Sequence, residues 1–107
     1  MAGLESGELD RRIVLQKPTV SQDVAGGMVE TFADQATVWA EARPPTGSEV
    51  FKAAQFNARI DRIFIIRWRS GIDPTWRVSF ESAFYDIYSV SEIGRREGLM
   101  ISAIVRR

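Results

Sequence analysis

The sequence predicts a mainly β protein, a small antiparallel β-barrel or sandwich of six to seven strands with one short helix or long loop. Three observations point there. Runs of alternating apolar and polar residues recur at short intervals, separated by Gly, Pro and Asp turn chemistry, as in small barrels and sandwiches. One stretch, Thr46 to Asn57, departs from the two-residue period and takes a helical one. Between Arg59 and Arg69 the chain is apolar on both faces of an extended strand, with Ile60, Phe64, Ile66 and Trp68 alternating one way and Ile63 and Ile65 the other. A half-buried strand needs one apolar face, so the second requires a cover, either a helix of the same chain or a neighbouring subunit.

Taken in order, residues 1–10 are small, polar and acidic without a period, and are expected to form a flexible N-terminal arm with Leu9 as a possible anchor. A single domain is expected over 11–107. Arg11 to Lys17 reads as the first strand, ended by Pro18, which cannot donate to a ladder. Gly26 and Gly27 supply the positive φ of a tight connection, and Met28 to Phe32 resumes alternation as a second strand. After a break at Ala33 to Gln35, Ala36, Val38, Ala40 and Ala42 share one face of a third strand that Pro44 and Pro45 terminate.

Thr46 and Glu49 then have capping-box spacing, and Val50, Phe51, Ala54 and Ala58 fall on one stripe, so a short helix is expected from Gly47 or Ser48 to about Asn57. Its length is marginal for an isolated helix, which leaves an extended loop as the rival. After the central strand, Ser70 to Pro74 is a turn, Trp76 to Phe80 a strand, Glu81 to Ala83 a break and Phe84 to Val90 another strand. Glu92 to Gly98 is a charged connection, and Leu99 to Val105 closes the set.

Composition narrows the function classes. The 107 residues are 45% hydrophobic and 26% charged, an ordinary globular balance, and 14 basic residues offset 14 acidic ones. No global charge draws the chain to nucleic acid or to an anionic membrane. Lys17 and Lys52 are the only lysines; arginine's planar fork suits carboxylate pairing across interfaces, although genome composition is an equal explanation. The chain has no cysteine and no histidine, which removes disulfides, thiolate chemistry and the commonest general base and metal ligand. No apolar run approaches the roughly 18 to 20 residues of a membrane span, and no signal pattern opens the chain.

There is no Gly-rich phosphate loop or nucleophile elbow. Asp61, Asp73, Glu81 and Asp86 lie near one another in sequence and could form a carboxylate site, but their spacing matches no motif, and solvated or ion-paired carboxylates are the better reading. No catalytic, cofactor-binding or metal-binding residue is assigned, and an enzyme is not expected. Arg59, Arg67 and Arg69 share a strand face and Arg95 and Arg96 sit in a loop, so each set could meet phosphates or a neighbour's carboxylates. Trp39, Trp68 and Trp76 are expected in core and rim packing rather than as a base platform. Trp68 points away from Arg67 and Arg69 by alternation, which weakens a single-strand-binding reading.

The ordered set of features resembles one family over nearly the full length. Leu9-Asp10-Arg11-Arg12-Ile13 leads to Gln16-Lys17-Pro18, then Gly26-Gly27, Thr37-Val38-Trp39-Ala40-Glu41, and Gly47-Ser48-Glu49-Val50-Phe51 with Ala53 and Gln55. Phe64 to Pro74, Tyr85-Asp86-Ile87, Val90 and the Arg95-Arg96 loop complete it. This order resembles the head-tail joining (head-closure, or stopper) proteins of tailed bacteriophages and prophages. Two positions depart from the family pattern: Glu81-Ser82-Ala83 stands where a glycine turn is usual, and Trp68 where tyrosine is more common.

The resemblance implies a structural virion protein that forms a ring between the portal or adaptor complex and the tail, closing the DNA exit channel and joining head to tail. It implies as partners other copies of the chain, the portal or adaptor protein, a tail-completion or tail-terminator protein, and double-stranded DNA passing through the channel without specific binding, with no membrane and no cofactor. It places the protein at the head-tail junction of the virion, assembled in the bacterial host cytoplasm. Carried onto this chain, the channel or assembly loop is Thr46, Gly47, Ser48, Glu49, Phe51, Lys52, Gln55 and Asn57, and the subunit or connector interface is Arg59, Ile63, Ile65, Arg67, Arg69, Arg95 and Arg96. A ring of identical subunits joins two unlike surfaces per subunit, and a neighbour would then cover the second apolar face of the central strand. The alternative is a small β-barrel module binding single-stranded nucleic acid.

Overall fold

Alternation sends one set of side chains from every strand inward, and in the computed structural model, which describes residues 9–106, the strands close around them. The order is β1 (Arg11–Gln22), β2 (Met28–Arg43), α1 (Gly47–Ala54), β3 (Arg62–Arg67), β4 (Arg77–Phe80), β5 (Ala83–Ile93) and β6 (Gly98–Val105). All neighbours are antiparallel, and the order β1-β2-β3-β6-β5-β4 closes through pairing of Val14 to Gln16 with Arg77 to Ser79. The architecture is therefore a six-stranded closed barrel rather than a sandwich, and closure leaves the barrel wall no free edge. The expected flexible arm of residues 1–10 falls mostly on residues 1–8, which lie outside the described residues; Leu9 is buried.

Ile13, Leu15, Ala40, Phe64, Ile66, Val78, Phe80, Tyr85, Ile87, Leu99, Ile101 and Ala103 fill the barrel, with Trp76 just ahead of β4. Phe64 is its centre, meeting Phe80 and Tyr85 edge to face at 5.4 and 5.3 Å. Such geometry sets the positive ring edge against a negative ring face.

Several sequence expectations change. Pro18 does not end the first strand, which runs to Gln22 with Pro18 opposite Phe32. Beyond Gln16, β1 pairs with β2 alone, so a proline interrupts no second ladder. The second and third predicted strands are one 16-residue strand. Their apparent break is a β-bulge: Leu15 pairs with Ala36 and Gln16 with Asp34, leaving Gln35 as the extra residue. A bulge flips the alternation and bends the strand, which reads in sequence as a break.

The central strand is shorter than expected, and Ile60, preceding it, does not join Phe64 in the barrel but lies with Ala53 and Ile63 in a second cluster outside. That cluster is the cover for the second face of β3. Ile63 is 0% exposed beneath α1 of its own chain, so it is corrected from a subunit-contact residue to an internal one. Finally, α1 turns its expected apolar stripe outward: Ala53 is its buried residue, while Val50, Phe51 and Ala54 face solvent.

Candidate assembly surfaces

Strand polarity gives the barrel two ends. One carries α1 and the β4–β5 turn; the other carries the β1–β2 connection and the β5–β6 turn.

At the first end, α1 is locked by side chains the sequence spacing identified. Thr46 caps the helix, its hydroxyl accepting from the Glu49 N–H at 3.3 Å while Glu49 Oε1 accepts from the Thr46 N–H at 2.7 Å. Arg43, the last residue of β2, donates both terminal nitrogens to the Glu49 carboxylate at 3.0 and 3.1 Å. These Arg43 hydrogen bonds, against an opposing effect of burial and with help from the Thr46 N–H, hold the Glu49 carboxyl down to about 2. The chain leaves the helix through Asn57 at φ +56°, with the Asn57 N–H on Ala54 O and the Ala58 N–H on Ala53 O, both at 3.0 Å. This is a Schellman ending, in which asparagine tolerates the left-handed conformation.

Gly47, Ser48, Phe51, Lys52 and Gln55 face solvent, Phe51 at 64% and the neighbouring Phe56 at 75% exposure. Beside them lies a groove of about 200 Å³ bounded by Lys52, Ala53, Phe56, Ile60, Tyr88 and Ser102. Tyr88 reaches it because β5 has its own bulge there, Ile87 pairing with Ala103 and Ser89 with Ser102. At the β4–β5 turn, Glu81 and Ser82 take φ +48° and +67° between the paired Phe80 and Ala83. The hairpin is therefore a tight two-residue turn of the kind glycine usually serves.

At the other end the predicted arginines converge. Arg67, at the end of β3, pairs with Gly98, the first residue after the turn bearing Arg95 and Arg96. Arg96 lies over the Trp68 ring at 4.9 Å, and the Trp68 indole N–H donates to Glu92 Oε1 at 3.1 Å. Arg67 and Arg69 join Leu9, Val38, Trp39 and Trp68 around a cleft of about 250 Å³. Arg12 stacks on Trp39 at 4.7 Å, an element of this rim that alternation alone did not reveal. These guanidinium stacks occupy aromatic faces that a nucleobase would need. Arg59 is elsewhere, ahead of β3 and paired with Asp61 at 3.1 Å, and Ile65 is half-buried at the margin of the α1 cluster. The tryptophans divide: Trp76 is core, Trp68 packs against it, and Trp39 is exposed.

Sequence reading missed one surface. The β1–β2 hairpin continues beyond the barrel as a ribbon, and every residue from Thr19 to Thr31 is exposed. Its tip is built by Asp23, whose Oδ1 accepts from the N–H groups of Ala25 and Gly27 at 2.9 and 2.7 Å, with Gly26 at φ +87°. Its root is clamped: the Arg77 guanidinium stacks on Phe32 at 4.1 Å and on Phe84 at 3.9 Å, and Arg106 lies over Phe32 at 5.1 Å while bridging to Asp86 at 2.8 Å. Burial, and then the nearby Arg106, lower the Arg77 guanidinium from its usual value. The available signal was the set of apolar residues Val20, Val24, Met28 and Val29 flanking the Gly-Gly turn.

The four carboxylates near one another in sequence do not converge. Asp61 accepts from the Val105 N–H and pairs with Arg59, Asp73 accepts from the N–H and hydroxyl of Thr75, Asp86 pairs with Arg106, and Glu81 occupies the turn. Among the described residues, no group of three or more Asp, Glu, His or Cys is placed to hold a metal ion. No helix among them is long and apolar enough to cross a membrane.

Comparison with known proteins gives concordant findings. A family model described as phage head completion protein matches residues 4–106. The solution structure of protein SF1141 from Shigella flexneri 2a is similar over 95% of this chain and 96% of that one, at 23% identity and a TM-score of 0.77. A chain from the virion of a native gene transfer agent particle is similar over 91% and 93%, at 19% identity and a TM-score of 0.59. Comparison with curated protein sequences found no match.

Proposed function

Because the chain belongs to the phage head completion protein family, and so to the structural proteins of the virion, we propose that it forms a ring between the portal or adaptor complex and the tail. The ring closes the DNA exit channel, presents one face toward the head side and the other toward a tail-completion or tail-terminator protein, and joins head to tail. Assembly takes place in the host cytoplasm, and the protein ends at the head-tail junction.

The observation that carries the ring is the outward apolar face of α1, where Val50 and Phe51, with Phe56 just beyond the helix, stand exposed although the helix ends and ion pair are fully made. A capped helix with an uncovered apolar stripe supports assembly as the step that covers it. The barrel wall offers no free strand edge, so contacts made there run through side-chain surfaces, and unlike surfaces at the two ends suit head-to-tail contact around a ring. The segment Thr46 to Asn57 serves as the assembly or channel loop, acquiring new neighbours when the ring closes. Arg67, Arg69, Arg95 and Arg96 form a connector surface that meets carboxylates of an adjoining protein. Zero net charge accords with a channel through which DNA slides, since each phosphate contact adds salt-dependent affinity.

The test is electron microscopy of particles from the phage or prophage encoding the chain, with the gene disrupted. Separate tails and tailless heads that have lost DNA are expected. Normal tailed particles would overturn the joining role.

A further inference from the structure

We propose that the tip of the β1–β2 ribbon, Val20 to Val29, seats in the groove between α1 and β5 of a second copy of the chain. The inference rests on the ring reading and names the contact that holds adjacent subunits together.

The ribbon is an aimed element without a cover. Its turn is hydrogen-bonded by Asp23 and its root is clamped by Arg77 and Arg106, yet Val20, Val24, Met28 and Val29 are exposed, Val24 fully so. A two-stranded ribbon with no apolar surface to lie on is marginal in water. A partner must supply that surface. From Lys17 to Gln22 the ribbon extends about 20 Å at the usual rise of a strand, and the molecule is 54 Å long against 31 and 26 Å across.

The groove is the complementary feature. Ala53 and Ile60 form its floor, and Phe56 and the bulge residue Tyr88 stand at its sides. Ribbon and groove lie toward opposite ends of β2, which begins at Met28 in the ribbon and finishes at Arg43 against α1. The extended chain between them keeps a subunit from reaching its own groove. A neighbour displaced around a ring can reach it, and each copy then donates one ribbon and receives another, the heterologous contact that closes a ring.

Charge favours this occupant. Between Thr19 and Thr31 the ribbon carries Asp23 and Glu30 and no basic residue. Of the two charged residues lining the groove, Glu49 is ion-paired with Arg43 behind it, which leaves the charge of Lys52 presented outward. An acidic, apolar tip therefore meets a basic, apolar groove.

The absence of cysteine makes the contact directly testable. The full-length Val24→Cys/Phe56→Cys chain, assembled into tailed particles and oxidised, should run on non-reducing gels as a ladder from dimers up to the closed ring, with no ladder from either single variant. The exposed pair Met28→Cys/Lys52→Cys provides a second register of the same contact and puts no change in the barrel core. Complete tailed particles giving no ladder with either pair would overturn ribbon docking onto a second copy and leave the joining role standing. Normal tailed particles after gene disruption would instead overturn the joining role on which the inference rests.

Discussion

Glu49 holds three structures together at once: it completes the Thr46 capping box, binds both terminal nitrogens of Arg43 and so ties α1 to the end of β2. Its carboxyl is held down to about 2, below the ordinary value of about 4.3. Because the folded-state value is depressed, the stabilisation is complete above the ordinary carboxylate range and is lost as pH falls through that range toward the folded value. Glu49→Gln is expected to cost about 1 to 2 kcal/mol at neutral pH, since charge-assisted bidentate bonds are replaced by weaker ones. Urea midpoints measured from pH 7 down to pH about 2.5 should show the gap between wild type and variant narrowing through the acid range. A gap constant with pH would sink this account of the helix lock.

The ribbon and α1 behave differently from the barrel that carries them. Neither contributes its exposed apolar residues to a core, whereas Phe64, Ile13 and Leu15 are wholly enclosed. Replacing Val20 to Glu30 by a two-residue Asn-Gly turn, which keeps Thr19 opposite Thr31 and matches hairpin twist, should leave barrel stability within about 1 kcal/mol, because no residue from Thr19 to Thr31 is buried. Thermal unfolding of the shortened chain and particle counts by microscopy then separate folding from assembly. A stable barrel with few joined particles is the expected result; fully joined particles would show that the ribbon has no assembly role. The root clamp lies outside this replacement, so Phe32 keeps its stacking on Arg77.

At the scale of the molecule, the arginine-tryptophan rim is a surface that resembles a nucleic-acid platform. Its rings are stacked by the chain's own guanidinium groups, Arg12 on Trp39 and Arg96 on Trp68, and Trp68 spends its N–H on Glu92. With net charge zero, oligonucleotide retention should be weak and should lack the steep salt dependence of phosphate binding. Filter binding of single-stranded oligonucleotides from about 50 to 200 mM salt covers the range over which a multi-phosphate contact loses orders of magnitude in affinity. A steep slope would favour the single-strand-binding reading instead.

The amino-acid sequence by itself determined the β class, the inward faces of the strands, the Thr46-Glu49 cap and the family, because period, capping chemistry and turn residues act within a few positions of one another. Phe64 and Ile66 facing the core and Pro44 and Pro45 ending β2 follow the same local logic. Only the tertiary structure decided which of two apolar faces a helix covers and where a strand truly ends. Val50 and Phe51 form a stripe that points away from the barrel because Arg43 and Ile63 fix the opposite side of α1 inward. Pro18 and the Gln35 bulge imitate strand ends locally, yet cross-strand pairing runs through both, and pairing between residues distant in sequence leaves no periodic trace.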